Sequence, residues 1–191
     1  IRTSNSSILI FLSSIFSCFY TLKTAEGNFT PNEKMKKIKE YQMMLNENRI
    51  PYLETQKSFL CESKCNSPAN VANIMESCFR ISDLPEEHIY AIALNTKNQI
   101  TGIFEVGKGT VNCSLISARE ILIRMLLAGA VSFILCHNHP SGDTNPSQED
   151  IQITESIGKA GSLIGVSLLD HLIIGEKNYT SLREIQAVTF E

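Results

Sequence analysis

His137 and His139 are separated by one residue, and Asp150 follows eleven positions later. In an extended chain side chains alternate with period two, so both imidazoles project to one side where the strand ends. Asp150 falls in the first turn of the next helix, and a folded-back loop from Pro140 to Pro146 would return its carboxylate to the same point. Two imidazoles and a carboxylate, with one position left open, form the donor set of a catalytic zinc ion. Each residue also has a plainer role. A histidine at a strand end is often a satisfied polar residue, and Ser147 with Asp150 spells a helix capping box. The helical wheel favours the metal: Asp150, Ile153, Ile157, Ala160 and Ile164 share one face, so the acid belongs to a buried stripe. An unpaired carboxylate there is costly, and a cation removes the cost.

Glu105 lies within an apolar strand on the face of Ile103. A carboxylate partly withdrawn from water there suits general acid and base work, taking a proton from an attacking water and returning it to a leaving amine. Alone, it reads rather as an edge-strand side chain facing solvent, and the neighbouring constellation is what turns the reading toward acid and base work.

The elements that must position these groups begin at Ser67. Ser67 followed by Pro68 is a helix start, and Val71, Ile74, Met75 and Cys78 recur at helical spacing up to about Phe79. His88 to Leu94 and Ile100 to Val106 read as strands paired in a hairpin. Ser117 with Glu120 predicts a capping box opening a helix that runs to Ala128 and stops at Gly129. Val131 to His137 is nearly all apolar, which suits a strand buried on both faces. Ser147 opens a helix to about Ala160, and Val166 to Ile174 and Tyr179 to Leu182 close the domain as strands. This order predicts an α/β fold, a mixed β-sheet flanked by helices.

The stretch His137 to Asp150, with His-x-His, then Ser147 and Asp150, resembles the JAMM (MPN-plus) metallopeptidase motif. FEVGKGT at 104–110, SLISAREI at 114–121 and LLDHLIIG at 168–175 resemble the RadC-like branch of that family. The similarity runs from about Ser67 to about Glu184. It implies a JAMM/MPN fold related to the deaminases, zinc (Zn2+) on His137, His139 and Asp150 with water as fourth ligand, and Glu105 as general acid and base. Ser147 would help to stabilise the oxyanion. Asp170 and His171 match family positions and are expected to support the site rather than ligate. RadC-like proteins commonly carry an N-terminal helix-hairpin-helix module, and the first 66 residues here show no Gly-x-Gly hairpin. A short form without that DNA-binding region is expected.

Composition narrows the alternatives. Seventeen Lys and Arg against twenty Asp and Glu give a net charge of −3, so no global positive field holds the chain on nucleic acid or an anionic membrane. Six cysteines in 191 residues are too few for a disulfide scaffold and fit a reduced, cytoplasmic setting. Cys61 and Cys65 lack a second ligand pair at finger-like spacing and are expected as ordinary thiols. The apolar run Ile8 to Leu22 is shorter than the ~20 residues of a membrane span. Residues 1–34 are expected to be a non-native or signal-like extension, residues 35–66 a short helix and polar linker, and residues 67–187 the RadC-like JAMM/MPN domain.

A zinc nucleobase deaminase would need a Cys-x-x-Cys ligand pair, which is absent. Two classes then compete: a zinc hydrolase acting on a peptide or isopeptide bond of a peptide or protein substrate, and a RadC-like DNA-repair or replication scaffold without peptidase activity. The complete ligand set beside a base favours the hydrolase, with nucleic-acid binding weak or absent and no membrane association.

Overall fold

The computed structural model describes residues 35–109 and 117–190. The extension expected at residues 1–34 lies outside them, as do Cys18 and Cys113.

Seven strands form one sheet: β1 (Met35–Leu45), β2 (Pro51–Glu62), β3 (His88–Leu94), β4 (Ile100–Lys108), β5 (Ser132–Asn138), β6 (Ser167–Ile174) and β7 (Tyr179–Ser181). Their spatial order is β2-β1-β4-β3-β5-β6-β7. Pairings β1–β4 and β5–β6 are parallel and the others antiparallel, so the sheet is mixed as expected. The helices are α1 (Pro68–Phe79), α2 (Ala118–Leu127) and α3 (Gln148–Leu163). None of them is long and apolar enough to cross a membrane.

Strand alternation divides the core in two. Tyr90, Ile92, Ile134, Cys136 and Leu172 face Val71, Ile74 and Met75 of α1 in one cluster. Ala91, Ala93, Phe104, Phe133 and Leu135 share the other with Ile121 and Met125 of α2 and Ile157 of α3. Every residue of β3 and β5 is buried, as strands between two helical layers must be. Period two then carries His137 onto the α3 side, following Phe133 and Leu135.

Helix α1 has the predicted limits: Ser67 Oγ accepts from Asn70 N at 3.2 Å, and Arg80 ends the helix in the left-handed region at φ 49°. Helix α2 starts where expected, but its capping box does not form. Ser117 makes no side-chain cap hydrogen bond, and the Glu120 carboxylate is taken by Arg119 at 2.7 Å and Arg124 at 3.4 Å. Two guanidinium partners compete for the side chain that the box required.

Residues 35–66 overturn the expectation of a short helix and irregular linker. They form the β1–β2 hairpin, added to the sheet edge where Glu40 lies opposite Ile103. Local preference for helix in this Lys-, Glu- and Met-rich stretch yields to the unpaired edge of β4. Ile38 and Glu40 turn inward at 3% and 7% exposure, while most neighbours face water, so the period-two signal is nearly silent in the sequence. Asn46 Oδ1 closes the turn by accepting from Asn48 N and Ile50 N. Pro51, the first residue of edge strand β2, occupies a position where a missing N–H is tolerated.

The thiols behave as core residues. Cys61, Cys65 and Cys136 are buried, Cys61 Sγ lies 3.2 Å from Cys78 Sγ, and no disulfide links these described cysteines.

Candidate metal centre

β5 runs out at Asn138, and the chain turns at once. His139 N donates to Ile174 O at the end of β6, and Gly142 N returns to His139 O with Gly142 at φ 78°. The loop then seats against Gly175, whose added Cβ would meet Gly142 O at 2.7 Å and Thr144 Cγ2 at 2.8 Å. This close seating brings the start of α3 over the C-terminal end of β5. Ser147 caps α3: its Oγ accepts from Asp150 N at 3.0 Å, while Ser147 N donates to Asp150 Oδ2 at 2.8 Å. The capping box and the inward carboxylate are the same feature. The buried stripe of α3 runs through Asp150, Thr154, Ile157 and Gly161, one position round from the predicted face, and Ile164 is exposed.

His137, His139 and Asp150 are brought together, with one candidate ligand atom from each lying within 4.8 Å of the others. His137 Nε2 is 2.9 Å from His139 Nε2 and 3.3 Å from Asp150 Oδ1, and His139 Nε2 is 3.7 Å from Asp150 Oδ2. Zinc bonds of about 2.0 to 2.1 Å at a tetrahedral angle separate ligand atoms by about 3.3 Å, so the spacing suits one small ion. The donor chemistry agrees. His139 Nδ1 is 2.6 Å from the carbonyl oxygen of Asp143, which only accepts, so Nδ1 carries the proton and Nε2 is left to bind. Two imidazole Nε2 atoms converge beside a carboxylate, and a divalent cation is the natural occupant of such a group.

Burial and mutual charge set the ionisation of these groups. His137 is held well below the ordinary imidazole range, by burial first and then by His171. His139 is raised, chiefly by Asp150 and further by the Asp143 carbonyl and Glu87. Burial alone would raise Asp150, but His139, His137 and Ser147 outweigh it and keep the carboxyl well below its usual range. His171 is pushed down to about 4 by burial.

Glu105 and Ser147 sit differently from their sequence expectations. Glu105 is exposed, its side chain 36% accessible, with Oε1 2.6 Å from His88 Nδ1. It is opposite Tyr90, whereas His137 is opposite Ile89, so β3 intervenes and the two backbones are roughly 10 Å apart. The expected desolvation fails because β4 has only the hairpin beyond it. The Ser147 hydroxyl donates to Asp150 Oδ2 at 2.6 Å, which commits its proton to the carboxylate.

The sequence reading missed Asn138 and Thr154 as neighbours of the site, having singled out Asp170 and His171. Asn138, between the two histidines and wholly buried, points the other way: Oδ1 accepts from His88 N at 2.8 Å and Nδ2 donates to Glu86 O at 3.0 Å. Behind His137 stand His171 and Thr154, also buried, while Asp170 accepts from His171 N, Ser181 Oγ and Arg183 N and holds β6 to β7. The clue to Thr154 was its position four residues after Asp150 on one helix face.

The RadC-like JAB domain model matches residues 65–187. The chain belongs to the RadC-like JAB domain family. Within it, this chain is 45% identical over 121 residues to a UPF0758 protein of Clostridium acetobutylicum, an overlap covering 63% of this chain and 52% of that protein. A UPF0758 protein of Clostridium botulinum (strain Okra) is 45% identical over 123 residues, 64% and 53% of the two chains. Another from Clostridium beijerinckii is 41% identical over 130 residues, 68% and 56%. The chain spans about half the length of the curated relatives it matches. The mixed sheet with helices on both faces is consistent with a JAB/MPN-like fold.

Proposed function

We propose that this RadC-like JAB domain is a zinc-dependent hydrolase that cleaves a peptide or isopeptide bond in a peptide or protein substrate. The observation that carries it is the convergence of His137 Nε2, His139 Nε2 and an Asp150 carboxylate oxygen, with the His139 proton held on Nδ1 by Asp143. His137, His139 and Asp150 are the ligands. Zinc supplies Lewis acidity, polarising the substrate carbonyl and lowering the pKa of water to about 7.

The chain's own residues do the rest. Asp150, buried and kept ionised, balances positive charge at the site and is aimed by Ser147. Glu105 takes a proton from the attacking water and returns it to the leaving amine nitrogen, with His88 steadying its carboxylate from the side. Ser147 supplies its hydroxyl to the oxyanion when it turns from Asp150. The domain works in the cytoplasm, binds nucleic acid weakly or not at all and has no membrane partner, in keeping with the net charge of −3.

The test has two parts. Purified protein should contain one equivalent of zinc or take it up after dialysis. Comparison of cleavage products in cells making the intact protein or Glu105→Gln should then reveal termini that only the intact form generates. Zinc-free protein that refuses the metal, or identical termini in both cells, would refute the proposal.

A further inference from the structure

Three buried side chains form a hydrogen-bonded line behind His137. His137 Nδ1 is 2.9 Å from His171 Nε2, His171 Nδ1 is 2.6 Å from Thr154 Oγ1, and Thr154 Oγ1 is 2.5 Å from the carbonyl oxygen of Asp150. His137, Thr154 and His171 are 1%, 0% and 2% exposed, so water does not substitute for any of these partners. The line starts at one residue of the candidate site and ends on the backbone of another.

Its polarity follows from donor and acceptor chemistry. The Asp150 carbonyl oxygen can only accept, so Thr154 spends its single O–H proton there. Thr154 Oγ1 is then an acceptor toward His171, and His171 must carry its proton on Nδ1. With a hydroxyl and an imidazole as its ring partners and only 2% of its surface exposed, His171 is a neutral imidazole, leaving Nε2 with a lone pair. That lone pair accepts from His137, whose proton is therefore on Nδ1 and whose Nε2 is bare.

We propose that Thr154 and His171 are positioning residues that select the tautomer of His137, presenting an unprotonated Nε2 beside Asp150 and His139. Reversing the line would break the 2.5 Å bond from Thr154 to Asp150 and put a proton on the His137 nitrogen that faces the other two ligand atoms. The His139 tautomer is set by one backbone carbonyl from a loop. That of His137 is set from within the core, by a helix and a neighbouring strand. A link from α3 through β6 to β5 also makes the separation of the two histidines and Asp150 depend on how these elements pack. The tautomer is a property of the metal-free protein, whereas its consequence for metal affinity rests on the proposed function.

The experiment is long-range 1H–15N correlation of histidine ring nitrogens in uniformly labelled, metal-free protein, followed by zinc titration. The expected spectrum has protonated Nδ1 and bare Nε2 on both His137 and His171. Thr154→Val, which keeps shape and loses the hydroxyl, should release His171 and populate the Nε2-protonated form of His137. It should also weaken zinc binding by about 10- to 100-fold, while Thr154→Ser restores both. Should Thr154→Val fail to fold, His171→Gln serves instead: its amide can accept from His137 and donate to Thr154, and it should retain the His137 tautomer. A wild-type spectrum with protonated Nε2 on His137 would overturn the inference, as would unchanged tautomers in Thr154→Val. Absence of zinc uptake by wild-type protein with the expected tautomers would instead count against the metal site alone.

Discussion

Glu105 Oε1 lies 2.6 Å from His88 Nδ1, so the side chain proposed as acid and base is braced by the first residue of the neighbouring strand. His88 is held in turn through its backbone N–H by Asn138, the residue between the two histidines of the candidate site. Glu105→Gln should therefore leave metal content unchanged and lower turnover by roughly 10²- to 10⁴-fold, the range for loss of a general base. His88→Ala should also keep the metal and should reduce turnover less, because the carboxylate persists without its brace. Elemental analysis beside single-turnover kinetics separates the two effects, and loss of metal in Glu105→Gln would contradict its assigned role.

The three proposed ligands should behave alike. His137→Ala, His139→Ala and Asp150→Ala should each lower zinc occupancy, because removing one of three ligands leaves a buried polar remnant and an incomplete site. Ser147→Ala should retain zinc with reduced affinity and lose about 1 kcal/mol of stability, since the same hydroxyl caps α3. Isothermal titration with zinc, paired with chemical denaturation in chelator, distinguishes a ligand defect from a capping defect.

Acid should destabilise the metal-free protein. His171 is held near 4 in the fold, against about 6.5 for an unperturbed histidine, so across that interval the unfolded chain binds more protons. Stability therefore rises with pH between about 4 and 6.5, and full protonation would cost on the order of 3 kcal/mol from this one residue. His137, also held low, acts in the same direction as pH falls, Asp150 adds its loss only below about pH 4, and the raised His139 opposes them. Denaturation midpoints measured from pH 7 to pH 4 should decline, and His171→Gln should flatten the slope.

Gly175→Ala should injure the site more than the fold. Its Cβ would meet Gly142 O, Asn178 Oδ1 and Thr144 Cγ2 within 2.7–2.8 Å, so the loop that supplies the Asp143 carbonyl to His139 must move away. Zinc affinity should drop at least as much as in Ser147→Ala, with the core spectrum preserved. A variant that binds zinc like wild type would show that the loop tolerates the displacement.

Duplex DNA should bind only non-specifically, at about 10⁻⁴ to 10⁻⁶ M at physiological salt, and release as salt rises. Salt-resistant binding below micromolar concentration, measured by fluorescence anisotropy, would favour a DNA-associated scaffold over the hydrolase.

Local chemistry was legible wherever neighbouring residues sufficed to specify it. Ser67 and Pro68 announced α1, the apolar run ending at His137 announced a strand buried on both faces, and His137-x-His139 before the Ser147–Asp150 box announced the candidate metal centre. These features depend on alternation, helical period and capping, which are properties of a few consecutive residues. Tertiary structure decided what depends on a distant partner. Met35 to Glu62 became a hairpin because the β4 edge was unpaired, although its own residues favour helix and only Ile38, Glu40 and Cys61 are buried. Glu120 left its capping box for two arginines, and Glu105 remained in water beside His88 because only the hairpin lies beyond β4. The line from His137 through His171 to Thr154 joins β5, β6 and α3, residues 17 to 34 positions apart, so no local pattern announces it. Hydrogen bonds between elements are selected only when packing excludes water and leaves each buried polar atom one available partner.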